Sequence, residues 1–334
     1  MLDSKVSVII AAYNVEDYIV ETMESLFGQT VQSSEIVIVN DGSTDGTLAL
    51  INSKYGHDSR VRIITQENKG VGCARMVGFN AATGDYLFFC DPDDVVSLDL
   101  FEGFNKALNE NSDLELYYFS KRSFVDSSGK RNYLKRDTAP SREGWFSKGV
   151  ELFEDLILSN KYKATTWQYI FKKTMTERFD VTFKGRAHED QLFSMNVYLH
   201  SKLCYATQAD RYFQRVRQGS LTNSVKDEHH VLTSYDAYRD TLAVLKTHLH
   251  HFSRKRQVAT AYMKRGVTWT IKGCIRNRVR LPSRFFALTR KDCHECGVGR
   301  EGGMILTLPE WHFFAKKVSF ELKIRLRRGR PPVV

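Results

Sequence analysis

Cysteine is scarce and scattered, six residues in a chain of 334, with no dense framework of the kind that staples a small secreted fold. That usage fits a reducing compartment. Long apolar runs are missing as well: no stretch approaches the roughly 20 apolar residues that a membrane-spanning helix needs. The opening Met1-Leu2-Asp3-Ser4-Lys5 carries no apolar core, and residues 6–12 are too few to supply one, so no secretory signal is expected. Internal repeats and low-complexity segments are absent. Acid is the minority charge: 39 Asp and Glu stand against 49 Lys and Arg, a net +10. An acidic partner is therefore expected, whether nucleic acid, anionic lipid or a phosphate-bearing substrate. The bases form no nucleic-acid-binding motif, which counts against the first of these.

What remains is an ordinary globular composition, 42% hydrophobic and 26% charged, long enough for one large domain and a smaller appendage. Residues 6–14 read as a buried strand running into a loop. Residues 17–29 carry Tyr18, Ile19, Met23, Leu26 and Phe27 at a helical period. Residues 35–40 form a second buried strand that stops at Asp41-Gly42-Ser43-Thr44-Asp45-Gly46. The helix after it runs through about Lys54, with Thr44 or Asp45 as its cap. Residues 61–64 make a third strand, 70–82 a helix and 85–90 a fourth strand. This alternation predicts a mostly parallel sheet covered by helices on both faces. Past residue 113 the regularity weakens. Strands are expected at 114–119 and 167–171, and helices at 149–158 and from His188-Glu189-Asp190 onward. From about residue 226 the chain turns helical, basic and dotted with histidine, which places a boundary near 225.

The fourth strand, Tyr86-Leu87-Phe88-Phe89-Cys90, ends in Asp91-Pro92-Asp93-Asp94. Three like charges in four positions repel one another, and packing alone gives no reason to gather them. A hard divalent cation with oxygen ligands is one explanation; a turn and N-cap opening the helix at 98–108 is the other. In a parallel sheet, Asp41 and the aspartate run fall on the same carboxyl edge, where open α/β sheets bind ligands.

Taken in order, the strand and loop at 8–14, residues 40–45, residues 70–75, Gly84-Asp85-Tyr86, the aspartate run and Glu189-Asp190 resemble the motifs of family 2 glycosyltransferases. The resemblance covers about residues 5–222. It implies an α/β fold of the GT-A type: a mostly parallel sheet flanked by helices, with a basic, mainly helical C-terminal extension. The nucleotide-sugar half would be about 1–112, the acceptor half about 113–225, and the basic region 226–334. The activity implied is inverting, non-processive, metal-dependent transfer of a hexose or N-acetylhexosamine. The donor would be a UDP-sugar, and the acceptor a glycan of a surface polysaccharide or lipid-linked oligosaccharide. Tyr13 would flank the nucleobase and Asp41 accept its imide hydrogen, with Arg75 near the base or phosphates. Asp93 would bind ribose, Asp94 would ligate Mn²⁺ or Mg²⁺ with Asp91 in support, and Arg215 would meet the donor phosphates. Asp190 would be the general base that takes the acceptor's proton.

The match has departures. Met76 and Asn40 replace polar and acidic residues frequent in relatives, and Pro92 interrupts the aspartates. The segment from Gln214 to Ser220 lacks the Arg-Xaa-Xaa-Arg-Trp pattern of processive synthases. Two rival readings stay open: a catalytically dead sugar-nucleotide-binding module, and a nucleotidyltransferase. The latter would carry a Gly-rich basic loop where Ala11-Ala12-Tyr13-Asn14 stands. Cys293-His294-Glu295-Cys296 has the spacing of half a zinc site without a second pair. The basic, apolar tail at 313–328 suggests attachment to an anionic membrane surface, hence a cytoplasmic enzyme on the inner face of a membrane.

Overall fold

The computed structural model describes residues 5–127, 130–134, 138–183, 189–217, 227–282 and 284–298. It divides into two compact units, Met1–Ser224 and Val225–Val334. The tail at 313–328 and His188 lie outside the described residues. No described helix is long and apolar enough to cross a membrane.

The first unit starts as the alternation predicts: β1 (Val6–Ala12), α1 (Ile19–Phe27), β2 (Glu35–Asp41), α2 (Thr47–Tyr55), β3 (Val61–Gln66), α3 (Val71–Ala81) and β4 (Tyr86–Cys90). The four strands pair in parallel in the order β3-β2-β1-β4. Strands apolar on both faces need cover on both. On one side Val8, Ile10, Ile36, Ile38 and Phe88 pack with Ile19, Met23 and Leu26 of α1; on the other, Val37 and Val39 pack with Ala74 of α3.

Beyond β4 come the short β5 (Val95–Val96), α4 (Leu100–Glu110), and β6 (Leu114–Ser127), longer than the sequence suggests. Next are β7 (Lys130–Tyr133), β8 (Gly144–Phe146), α5 (Gly149–Leu158), β9 (Tyr169–Lys172), α6 (Asp190–His200) and β10 (Leu203–Arg215). Here the sheet turns mixed. β9 lies antiparallel between β4 and β6, β10 runs parallel to β6, and β5 closes antiparallel on β10. β9 begins at Tyr169 because Trp167 leaves the strand to stack on Tyr212, ring centres 4.4 Å apart.

Among the described residues the second unit packs three α-helices, α7 (Glu228–His248), α8 (Lys255–Asn277) and α9 (Phe285–Glu295). Tyr238 of α7 stacks on Tyr262 of α8 at 5.8 Å, and Phe285 of α9 meets Tyr235 at 5.4 Å. The buried Asp292 of α9 accepts from Lys246 Nζ at 2.6 Å and pairs with Arg239, both on α7. Cys293 and Cys296 are free thiols, and among the described residues no group of three or more His, Cys, Asp or Glu is placed to hold a metal.

Candidate active site

The carboxyl edge of β1, β2 and β4 gathers three loops, and the first two interlock. Asn14, at a left-handed φ of 50°, donates its N–H to Ser43 Oγ at 3.1 Å and accepts the Thr44 N–H on Oδ1 at 2.8 Å. Val15 N–H donates to Thr47 Oγ1 at 2.8 Å and Glu16 N–H to Asp45 Oδ2 at 3.2 Å. Tyr13, 46% exposed, stands at the rim of this unit. One expectation is corrected here: the N-cap position of α2 is Gly46, because Thr44 is drawn to Asn14. Asp45 still serves the helix, its Oδ1 accepting the Thr47 N–H at 3.0 Å.

Asp41 ends β2 and is buried. Its Oδ1 accepts from Gln66 Nε2 at 2.6 Å and from the Lys69 N–H at 2.9 Å; Oδ2 accepts the Gly70 N–H at 2.8 Å. Gly70 aims that N–H from φ 92°, a conformation costly for any residue with a Cβ. Three of the roughly four acceptor positions of the carboxylate are thus spent on the loop before α3. One is left for a donor from outside.

The aspartate turn is held from three sides. Thr22 Oγ1 of α1 donates to the Pro92 and Asp94 carbonyls at 2.9 and 2.7 Å. Tyr212 Oη of β10 accepts the Asp91 N–H at 3.1 Å. Arg215 donates its backbone N–H to Asp94 Oδ1 at 2.7 Å and its Nε to the Asp93 carbonyl at 2.8 Å. The three carboxylates face different partners: Asp91 Oδ1 accepts from Arg75 at 3.0 Å and Asp93 Oδ2 from Arg217 Nε at 2.7 Å, while Asp94 turns to Arg215 and Tyr212. Burial, then the charges of Asp93 and Asp91, push the Asp94 carboxyl well above the usual carboxylate range. Burial also lifts Asp91, against the pull of Arg75.

Such a turn is no ready-made cage. A Mg²⁺ or Mn²⁺ that travels with a nucleotide needs only one or two carboxylates beside the phosphates. Asp91 and Asp93 each engage through one oxygen and are 28% and 18% exposed. Asp94, expected from the sequence as the principal ligand, is the most enclosed, at 2%. On that footing the residues fit a hard cation, with Asp91 and Asp93 the more open pair.

Opposite the turn stands Glu189-Asp190. Phe193, one helical turn into α6, is wedged against Phe89 at 5.7 Å and Phe183 at 4.7 Å, and Phe89 lies two residues before Asp91. That aromatic lock brings the start of α6 to the end of β4. A Cβ on Gly72 of α3 would come within 3.1 Å of both Glu189 Cγ and Phe183 Cβ, so the close approach of α3 to this corner depends on glycine. Arg75 of α3 bridges the two acidic groups, donating to Glu189 Oε1 at 2.6 Å and to Asp91. Burial works against its charge, and Asp91, Glu189 and Asp190 more than offset it. Two of its donors are therefore spent on carboxylates. Asp190 itself is half-buried; burial, then the charge of Glu189, lifts its carboxyl to about 7.

The Arg215 side chain is 5% exposed, paired with Glu21 of α1 and Asp126 of β6 and sandwiched by the rings of Tyr18 and Phe124 at 5.3 and 4.8 Å. It braces the turn from behind. Sequence reading missed Thr22, Tyr18, Glu21, Asp126 and Tyr212. None stands in a motif, and each matters only because the sheet brings α1, β6 and β10 to one corner.

A sequence model described as Glycosyl transferase family 2 matches residues 7–175. Over 276 residues the chain is 31% identical to the glycosyltransferase GlyA of Streptococcus pneumoniae serotype 4, covering 78% of this chain and 38% of that protein. It is 28% identical over 271 residues to the poly(ribitol-phosphate) beta-glucosyltransferase of Bacillus spizizenii, covering 78% of this chain and 40% of that one. The chain thus spans less than half the length of these two relatives. The crystal structure of residues 1–349 of S. aureus TarS in complex with UDP-GlcNAc superposes with a TM-score of 0.69 at 18% identity, covering 98% of this chain and 92% of that one. At that identity the likeness is one of fold.

Proposed function

We propose a reaction from one premise: the chain belongs to glycosyl transferase family 2. The reading is inverting transfer of a single sugar, a hexose or N-acetylhexosamine, from a UDP-sugar to a hydroxyl of a cell-surface glycan. Its main support is the pairing of two acidic groups across Arg75: the aspartate turn that suits a diphosphate with its cation, and Asp190, a carboxyl tuned near neutrality. The UDP-GlcNAc held by the TarS neighbour and the polyol-phosphate glucosyltransferase among the relatives support the donor and acceptor classes.

Each group has a defined task. Asp41, with its one remaining acceptor position, meets the imide N–H of the base, and Tyr13 lies against the ring. Asp93 would take the ribose, and Asp91, Asp93 and Asp94 are the residues that would hold the cation. Bound Mg²⁺ or Mn²⁺ supplies Lewis-acid neutralisation of the charge on the departing diphosphate. Asp190 accepts the proton of the acceptor hydroxyl as its oxygen attacks the anomeric carbon opposite UDP. Glu189 and Arg75 fix where Asp190 stands.

A coupled assay of UDP release with a panel of UDP-sugars, with Mn²⁺ and with excess chelator, tests the reading. Turnover is expected with a UDP-hexose or UDP-N-acetylhexosamine, lost in chelator and in Asp93→Ala. A chain that binds UDP and Mn²⁺ without releasing UDP to any acceptor mixture is a binding module instead. Full activity in chelator removes the metal from the scheme.

A further inference from the structure

Residues 165–169 lead into β9 and touch both acidic wings of the site. On the donor side Trp167 stacks face to face on Tyr212, ring centres 4.4 Å apart at 12°. Tyr212 is fully buried, takes the Asp91 N–H on its Oη and faces the Asp94 carboxylate. On the other side the Thr165 carbonyl accepts from Ser194 Oγ at 2.8 Å, and Tyr169 Oη donates to the same Ser194 oxygen at 3.2 Å. Ser194 lies four residues past Asp190 on α6, one turn along the same face. Between these ends Gln168 Nε2 donates to Tyr118 Oη at 2.6 Å and to the Phe119 carbonyl at 3.2 Å, both on β6. Tyr169 and Ser194 are fully buried, and the rings of Phe171 and Tyr198 flank Tyr169 at 6.0 and 5.9 Å. In such a corner Phe and Ala would serve packing nearly as well as Tyr and Ser, because a satisfied hydroxyl pair adds little net stability over apolar groups of the same shape. What the pair adds is direction. Its hydrogen bonds fix the rotation of α6 about its own axis, and with it the place of Asp190.

We propose that Trp167, Tyr169 and Ser194 are positioning residues, through which residues 165–169 hold Asp190 at a fixed distance from the aspartate turn. The transferred sugar must fit between the two, its diphosphate at the turn and its anomeric carbon within reach of the oxygen that Asp190 deprotonates. A base displaced by about 1 Å from that geometry costs up to roughly a hundredfold in rate. Donor affinity, set at the turn, is untouched by such a displacement. The inference rests on Asp190 as the base proposed above, and Asp190→Asn is the control that separates the two.

The test compares the full chain with Tyr169→Phe combined with Ser194→Ala, which removes both hydroxyls together and leaves neither buried without a partner. Calorimetric titration gives Kd for UDP with Mn²⁺. UDP release gives kcat with the UDP-hexose or UDP-N-acetylhexosamine that the wild-type chain turns over. The double variant should melt within about 4 °C of wild type and keep Kd within about threefold. Its kcat should fall about tenfold or more, a loss confined to the chemical step. Trp167→Leu, which loosens the stack on Tyr212, should raise Kd as well as lower kcat. Wild-type kcat in the double variant beside an inactive Asp190→Asn overturns the inference and leaves the base in place. So does a Kd that rises as much as kcat falls in the double variant, the mark of a merely structural pair, or a folded Trp167→Leu with wild-type constants. Normal turnover by Asp190→Asn, or a wild-type chain inert with every UDP-sugar, removes the base reading and this inference with it.

Discussion

Asp190 heads α6 with Glu189 beside it and Arg75 a short way off, and that neighbourhood sets its chemistry. Burial and the Glu189 charge raise its carboxyl from an ordinary value near 3.8 to about 7 in the free protein. A general base must be ionised, so kcat/KM should rise with pH and level off above about 7. Asp190→Asn should lower turnover by two orders of magnitude or more while UDP affinity stays within about threefold. The same shift carries a stability sign. Because the folded state holds this proton more tightly than the unfolded chain, ionising Asp190 opposes folding as pH climbs from about 4 to about 7. The melting temperature of Asp190→Asn relative to wild type should therefore increase over that range and stay constant above it. A variant with unchanged turnover would move the base to Glu189. A stability difference flat in pH would deny the perturbed carboxyl.

At the scale of elements, β10 does more than extend the sheet. Its last residue reaches the aspartate turn twice, through the Arg215 backbone N–H to Asp94 and through Nε to the Asp93 carbonyl. Glu21 and Asp126 hold that guanidinium from α1 and β6. This is a positioning role. Arg215→Lys keeps a charge and loses the planar fork, since one ammonium cannot serve a carbonyl and two carboxylates in that geometry. UDP affinity in the presence of Mn²⁺ should fall about tenfold, the scale of one charge-assisted hydrogen bond. The value of kcat at saturating donor should change less than about threefold, and calorimetric titration separates the two. A loss confined to kcat would place Arg215 at the reacting centre instead.

Over the whole molecule, every residue assigned to the donor lies in Met1–Ser224, while Val225–Val334 has helices and a core of its own. A ligand that binds only the folded first unit stabilises that unit by mass action, about 2.7 kcal/mol at a hundredfold excess over Kd. In scanning calorimetry UDP with Mn²⁺ should raise the unfolding transition of the first unit. Asp91→Asn with Asp93→Asn should abolish the shift. A shift that survives both substitutions locates the ligand away from the turn.

The strand–helix alternation, the shared sheet edge of Asp41 and the aspartates, and the opening of a helix at Glu189-Asp190 were all legible in the sequence. Each is a local matter: apolar runs of strand length, helical periodicity, and polar residues at the ends of both. The partners of those residues were not legible. That Arg75 bridges Asp91 to Glu189, that Asp41 anchors the loop before α3, and that Arg215 turns inward all depend on residues between 16 and 194 positions apart. The turn to a mixed sheet after β4 was equally hidden, because an apolar run says that a strand is buried and not which way its neighbour runs. Periodicity reports only what a residue and its near neighbours need. Which carboxylate stays open, which is enclosed and which is lifted towards neutrality is decided by burial and charge that the chain assembles only when β4, α3, α6 and β10 meet at one corner.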